Sequence, residues 1–243
     1  MARIIVIQHS DIGTPGRLGL TLRDHGFRLD VRRPDRDGPG AIPETLDDVA
    51  GVLSLGGPQN LDEGHEFIAR EMVLLRAAHE HELAVLGICL GCQLVAAALG
   101  GTVSRMPGGP EVGFHDVSLT IPGQTEPVLA GVPWTSAQFC SHAYEVSKAP
   151  EGATVLASSQ ACKVQAFRAG LRTFAFQYHF ECDREQIDAT LRGECALAAR
   201  AGLDEAALAR QADSAYARFA VVADRLSVNL VSYAFPTLAL LSA

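Results

Sequence analysis

Short apolar runs, each closed by glycine, proline or charged residues, set the rhythm of the first hundred positions. Residues 4–7, 27–31, 51–55 and 84–88 read as strands; the first and last are continuously apolar, as in strands buried on both faces of a sheet. Between them the pattern lengthens to a helical period. A helix is expected near 17–25, and a longer amphipathic one over about 63–81, where Ile68, Met72 and Leu75 recur at helical spacing. Residues 90–99 form the helix behind the fourth strand. Residues 32–43, rich in Arg, Asp, Pro and Gly, read as a surface loop. Strands alternating with helices predict an α/β fold: a doubly wound, mostly parallel, flavodoxin-like sheet with helices on both faces.

The pattern changes after Gly100 and Gly101. Val103 and residues 117–121, 138–140, 154–158, 164–168 and 173–178 read as short strands, some of them antiparallel hairpins. Gly170 sits where a hairpin turn between the last two would fall. From Asp183 the chain turns helical. Ile187, Leu191 and Leu197 mark one helix with Gly202 at its end, and an Ala-rich helix follows over 206–226. No repeat, low-complexity tract or flexible linker interrupts the chain. Residues 1–243 are therefore expected to form one domain, with 182–243 as a helical C-terminal extension.

Composition narrows the function classes. A hydrophobic share of 48% in 243 residues is enough for a sizeable core. The net charge is −8, and Lys148 and Lys163 are the only lysines. With no basic stripe, nucleic acid is not an expected partner. No apolar run is long enough to span a bilayer, and the N-terminus enters a strand without a signal-peptide cleavage region. No membrane association is expected, and a cytoplasmic location is. In a reducing cytosol Cys89, Cys92, Cys140, Cys162, Cys182 and Cys195 would be free thiols. Cys89 and Cys92 form a C-x-x-C, which fits a redox pair or half a zinc site. No second C-x-x-C or H-x-x-x-H accompanies it, so no metal is expected.

Residues 84–94 carry the sharpest chemical signal. An apolar strand ends in Cys89, flanked by Gly87 and Gly91, and a helix follows at once. A cysteine at the tip of such a turn is lifted clear of the sheet, as in a nucleophile elbow. Helix N-termini also favour the thiolate. The plain alternative is a buried core cysteine. The flanking glycines argue against it, because they weaken strand and helix propensity and suit a tight turn with close backbone approach.

A thiolate nucleophile needs a histidine, and the histidine an orienting carboxylate. His65, His79 and His81 fall on or beside a polar helix face; His9, His25 and His115 have no obvious partner. His179 follows a strand-like run, and Glu181 lies two residues on, on the same side of an extended segment. A surface His–Glu pair is the plain alternative. Gly56-Gly57-Pro58 ends a neighbouring strand, so its backbone N–H groups could face Cys89 as an oxyanion hole, with the N–H of Leu90 as second donor. A simple strand-ending turn would explain the same tripeptide.

These segments together resemble the class I, triad-type glutamine amidotransferases. Gly87-Ile88-Cys89-Leu90-Gly91-Cys92-Gln93 is similar to the family's nucleophile motif and Leu55-Gly56-Gly57-Pro58 to its oxyanion strand. Gln177-Tyr178-His179-Phe180-Glu181 resembles its Gln-Phe-His-Pro-Glu motif. Order and spacing fit from about residue 4 to 181. Glu111-Val112-Gly113-Phe114 and the segment from Ser141 to Val146 resemble the stand-alone, GMP-synthase-like group.

The resemblance implies a role for each matched residue. Cys89 would attack the side-chain amide of L-glutamine and form a γ-glutamyl thioester. His179 would protonate the leaving ammonia and then activate water, oriented by Glu181. Gly57 and Leu90 would hold the oxyanion. Gln93 and the loop around Ser141 and His142 would bind the substrate. No P-loop is present, so no nucleotide site or other cofactor is expected.

Phe180 stands where the family carries proline, so the backbone between His179 and Glu181 lacks the φ constraint of proline. The helical tail takes the place of an ATP-pyrophosphatase region, so the implied ammonia acceptor is a separate synthetase chain. Three readings stay open: a glutamine amidotransferase or glutaminase, a γ-glutamyl peptidase or hydrolase acting on another γ-glutamyl amide, and a non-catalytic regulatory homologue. Apolar residues 228–241 could mediate a homo-oligomer, or equally pack on the chain's own sheet.

Overall fold

The structure, a computed structural model, describes residues 2–235. The first half alternates as expected: β1 (Arg3–Ile7), α1 (Gly16–Asp24), β2 (Arg28–Arg32), the short α2 (Pro34–Asp37), β3 (Val49–Ser54), α3 (Glu66–Glu80), β4 (Ala84–Ile88) and α4 (Leu90–Ala98). The second half is strand-rich: β5 (Thr102–Arg105), β6 (Glu111–Leu119), the short α5 (Ile121–Thr125), β7 (Thr135–His142), β8 (Tyr144–Lys148), β9 (Thr154–Ser158), β10 (Ala166–Ala169) and β11 (Thr173–Phe176). Then come α6 (Arg184–Gly193), α7 (Cys195–Arg200) and the 30-residue α8 (Glu205–Ala234).

Nine strands form one sheet in the order β2-β1-β3-β4-β11-β10-β9-β6-β7, and β5 pairs with β8 in a second. The pairings from β2 to β11 are parallel; those from β11 to β7 are antiparallel. The packing of β1 explains its unbroken apolar run. Ile4 and Val6 join the core against α1 and α8, while Ile5 and Ile7 join the core against α3 and α4. Gly170, at φ +62°, turns β10 into β11 as expected.

Four expectations need correction. The helix over 63–81 starts only at Glu66, because Asn60 and Glu63 cap a separate 3-10 turn and Gly64 adopts φ +74°. The helix through Ile187, Leu191 and Leu197 is two helices, broken at Glu194 (φ −103°, ψ 27°). The loop over 32–43 holds α2 and a 3-10 turn at Pro39–Ala41. The final helix extends past Leu226 to Ala234, where Leu230, Val231 and Ala234 are buried against the chain's own core. Of the apolar stretch 228–241, residues 236–241 lie outside the described residues.

Candidate active site

The catalytic candidates gather beyond the carboxyl ends of β3, β4 and β11, where open α/β sheets place their ligands. Pairing of β4 with β11 aligns Ile88 with Phe176. The N–H of Cys89 then donates to Phe176 O at 2.8 Å. Residues far apart in sequence thus leave adjacent strands side by side.

Cys89 is the one residue between β4 and α4, with φ +53° and ψ −106°. A non-glycine residue held there is strained by about 1–3 kcal/mol, a cost that clusters at functional sites. The close approach expected of its glycines is present. A Cβ on Gly91 would lie 2.1 Å from Ser54 O, and one on Gly87 2.5 Å from Gly91 O. Cys89 is only 6% exposed, with Sγ 3.8 Å from Ser141 O. Cys92 is fully buried one turn on, and burial pushes its thiol well above the usual range, which removes the redox pair.

His179 and Glu181 are in contact: Nδ1 lies 2.7 Å from Glu181 Oε1. The segment is a series of bends rather than the extended strand expected, since β11 ends at Phe176. Other contacts hold it. His179 N–H donates to Phe139 O at 2.8 Å, and Arg17 N–H, at the start of α1, donates to Glu181 O at 2.8 Å. The Arg17 side chain also donates to Cys182 O and to the Tyr216 hydroxyl on α8. Phe180 is fully buried, with ring centroids 5.0 Å from Phe176 and 6.5 Å from Tyr178. Packing takes over the role that proline's ring would play. Burial works against an imidazolium at His179. The charge of Glu181, then that of Cys89, outweigh it and hold the ring protonated well above the ordinary histidine range.

Two cavities meet at Cys89. One, of about 240 Å³, reaches past His179 and is walled by Ile12, Gly13, Gly56, Thr190 and Gly193. The other, of about 170 Å³, is lined by Leu90, Gln93, His142 and Tyr144 and by the charged Arg105, Glu194 and Arg200. Gly57, Ser141 and Glu194 line both. All eight residues singled out from the sequence, except Glu181 behind His179, therefore border this space. The N–H groups of Gly57 and Leu90 donate to no protein acceptor among the described residues. Gln93 Nε2 donates to Tyr144 O (3.1 Å) and Gln177 Oε1 (3.2 Å). His142 is buried, with Nδ1 donating to Tyr144 O and Nε2 3.2 Å from Glu111 Oε2.

Glu194, Leu197 and Arg200 reach the cavity because the break at Glu194 turns α7 over it. Sequence reasoning misses all three, since no glycine or proline marks that break. Gly56 reads from the sequence only as part of a turn; a Cβ there would stand 2.6 Å from His179 Cε1 and 3.4 Å from Cys89 Cβ. Glu111, Cys140 and His142 cluster closely enough to ligate an ion. The Glu111 carboxylate is already engaged by Ser159 and Gln165, and burial holds the Cys140 thiol well above its usual range, which does not suit a ligand set. No helix among the described residues is long and apolar enough to cross a membrane.

Known proteins match this arrangement. A glutamine-hydrolyzing GMP synthase chain of Natronomonas pharaonis, the amidotransferase-type partner of a two-chain enzyme by its name, is 32% identical over 180 residues, covering 72% of this chain and 88% of its own. Gamma-glutamyl peptidase 3 of Arabidopsis thaliana is 29% identical over 168 residues, covering 68% of this chain and 67% of its own. The crystal structure of a glutamine amidotransferase from Methylobacillus flagellatus superposes with a TM-score of 0.82 at 25% identity, over 97% of this chain and 96% of that one. The family model for glutamine amidotransferase class-I matches residues 18–196, a span from α1 through the elbow and the His179–Glu181 pair into α7. With that match covering most of the sequence, the chain belongs to the class-I glutamine amidotransferase family.

Proposed function

We propose that the protein hydrolyses L-glutamine to glutamate and ammonia through a Cys89–His179–Glu181 triad. The observation that carries this reading is the 2.7 Å contact of His179 with Glu181 beside a strained cysteine at a strand–helix elbow. The thiolate of Cys89 attacks the amide carbon, and the N–H groups of Gly57 and Leu90 receive the oxyanion. His179, with Nδ1 engaged by Glu181, delivers its other ring proton to the leaving nitrogen. The C–N bond breaks and ammonia departs, leaving a γ-glutamyl thioester. Water then attacks the thioester, His179 takes its proton, and glutamate leaves with the thiolate restored. Gln93, Ser141 and His142 shape the side of the cavity that takes the glutamyl group, and charged Arg105, Arg200 and Glu194 complement its carboxylate and amino ends. The ammonia acceptor is a separate synthetase chain, in keeping with relatives named as one subunit of GMP synthase.

Incubation with an electrophilic glutamine analogue should add mass at Cys89, and the free protein should release glutamate from glutamine. Neither adduct nor turnover at high protein concentration refutes the reading. A second reading, hydrolysis of γ-glutamyl amides of larger amines, is favoured by the cavity on the His179 side. Its volume of about 240 Å³ far exceeds the ~30 Å³ share of a molecule the size of water or ammonia. Faster turnover of γ-glutamyl dipeptides than of glutamine would select it.

A further inference from the structure

Beneath the oxyanion loop lies a second histidine–carboxylate pair that the proposed hydrolysis does not use. His9, just after β1, and Glu71, in the middle of α3, both have side chains at 0% exposure. His9 Nε2 stands 2.7 Å from Glu71 Oε2. The ring's other nitrogen, Nδ1, donates to Leu55 O at 3.0 Å. Since a carbonyl can only accept, Nδ1 carries a hydrogen, and the short contact on the opposite side holds a second one between Nε2 and the carboxylate. Burial works against a charged His9, but Glu71, by charge and hydrogen bond, and the Leu55 carbonyl outweigh it, so the ring is held protonated above the ordinary range. The other Glu71 oxygen accepts from Ser54 Oγ at 2.6 Å.

Each arm of this network ends on the catalytic machinery. Leu55 O, which accepts from the His9 ring, also accepts the N–H of Gly91 at 3.2 Å, two residues past the nucleophile. Ser54 is the residue against which Gly91 packs. Gln59, beyond the oxyanion loop, donates from Nε2 to His9 O at 3.1 Å. Gly57 lies directly on His9: a Cβ at Gly57 would be 2.4 Å from His9 Cβ and 3.2 Å from Cγ. A buried ion pair thus joins the end of β1, the exit of β3, the loop bearing Gly57 and the first turn of α4 bearing Leu90.

We propose that His9 and Glu71 are positioning residues that fix the Gly57 and Leu90 N–H groups at the spacing an oxyanion requires. Neither touches the reacting atoms; both act through the backbone of residues 54–57 and 89–91. This rests on the glutamine-hydrolysing reading. A stabilising role alone is a weak explanation, because a buried pair of this kind is replaceable by apolar residues of similar volume with little loss of stability.

Two variants of the full chain test the positioning role. Glu71→Gln keeps shape and hydrogen bonds but removes the charge, and charge-assisted hydrogen bonds are about twice as strong as neutral ones. His9→Leu/Glu71→Met replaces the pair with apolar volume, and decides the matter if the first variant does not fold. Each folded variant should lose at least tenfold in kcat for glutamine with KM within about twofold. Alkylation of Cys89 by iodoacetamide, which forms no oxyanion, should stay within about twofold of wild type. The double variant should also melt no lower than wild type. Wild-type kcat in either folded variant overturns the proposal, as does alkylation that falls in step with kcat. A wild-type protein inert toward glutamine refutes the underlying reading, and the positioning role falls with it.

Discussion

Removing the Phe180 ring tests whether packing, in place of proline, holds the His179–Glu181 segment. The ring is wholly buried and meets Phe176 and Tyr178 edge-on, at interplanar angles of 70° and 71°. Phe→Ala at such a site costs about 3–5 kcal/mol, the lost transfer energy plus the cavity left behind. At roughly 2–4 °C per kcal/mol for a chain of this size, Phe180→Ala should melt about 6–20 °C lower than wild type. Its neighbours on both sides are proposed triad members, and a displacement of about 1 Å in such a group can cost on the order of 100-fold in rate. Phe180→Pro is the sharper variant. If the φ constraint mattered most, it would restore the family pattern and improve the enzyme. If packing matters most, it empties the same space, and the ~0.4–1 kcal/mol gained from a stiffer unfolded chain does not offset the loss. Thermal melts and kcat for glutamine, measured side by side on the three proteins, separate the two. Phe180→Pro melting at or above wild type with equal or higher kcat would refute the packing argument.

Cys89→Ala and Cys89→Gly should both be inactive, but the glycine variant should melt higher by a few degrees, since only glycine adopts φ +53° freely; equal melting points would mean that the elbow stores no strain. Gly56→Ala should lower glutamine turnover by on the order of 100-fold, because its Cβ falls 2.6 Å from the His179 ring; wild-type kinetics would show that the ring can give way. His179 and His9 both bind a proton more tightly in the folded state than in the unfolded one. Their stabilisation is therefore complete below the unfolded value of about 6.5 and is lost as pH rises through the raised folded values. Melting temperature should accordingly fall on the alkaline side, and Glu181→Gln should flatten that fall; a wild-type melting temperature that climbs with pH there contradicts the assignment.

The site is legible in the sequence where its cause is local. Gly87 and Gly91 signal close backbone approach around Cys89, and a two-residue spacing is enough to bring Glu181 to His179. The parallel half of the sheet is legible because β1, β3 and β4 are buried on both faces and carry apolar runs. Two features leave weaker traces. β8, from Tyr144 to Lys148, belongs to a two-stranded sheet and ends in two exposed residues, so its alternation is faint. The break at Glu194 has no glycine or proline to announce it. His9 and Glu71 are not legible at all. They are far apart in sequence, and a glutamate in an amphipathic helix looks like one more solvated residue until the fold turns it inward.

The parallel pairing of β4 with β11 sets an order of events during synthesis. The elbow leaves the ribosome with the first half of the chain, while Thr173 to Glu181 must wait for α4, the strands β5 to β10 and two short helical segments between them. Pairings of such long range close late, after the loop entropy of the intervening chain has been overcome. A nascent or truncated chain that stops before β11 carries the thiol without its base. Ammonia release is then a property of the finished sheet, and the appearance of activity during refolding reports the docking of that one strand.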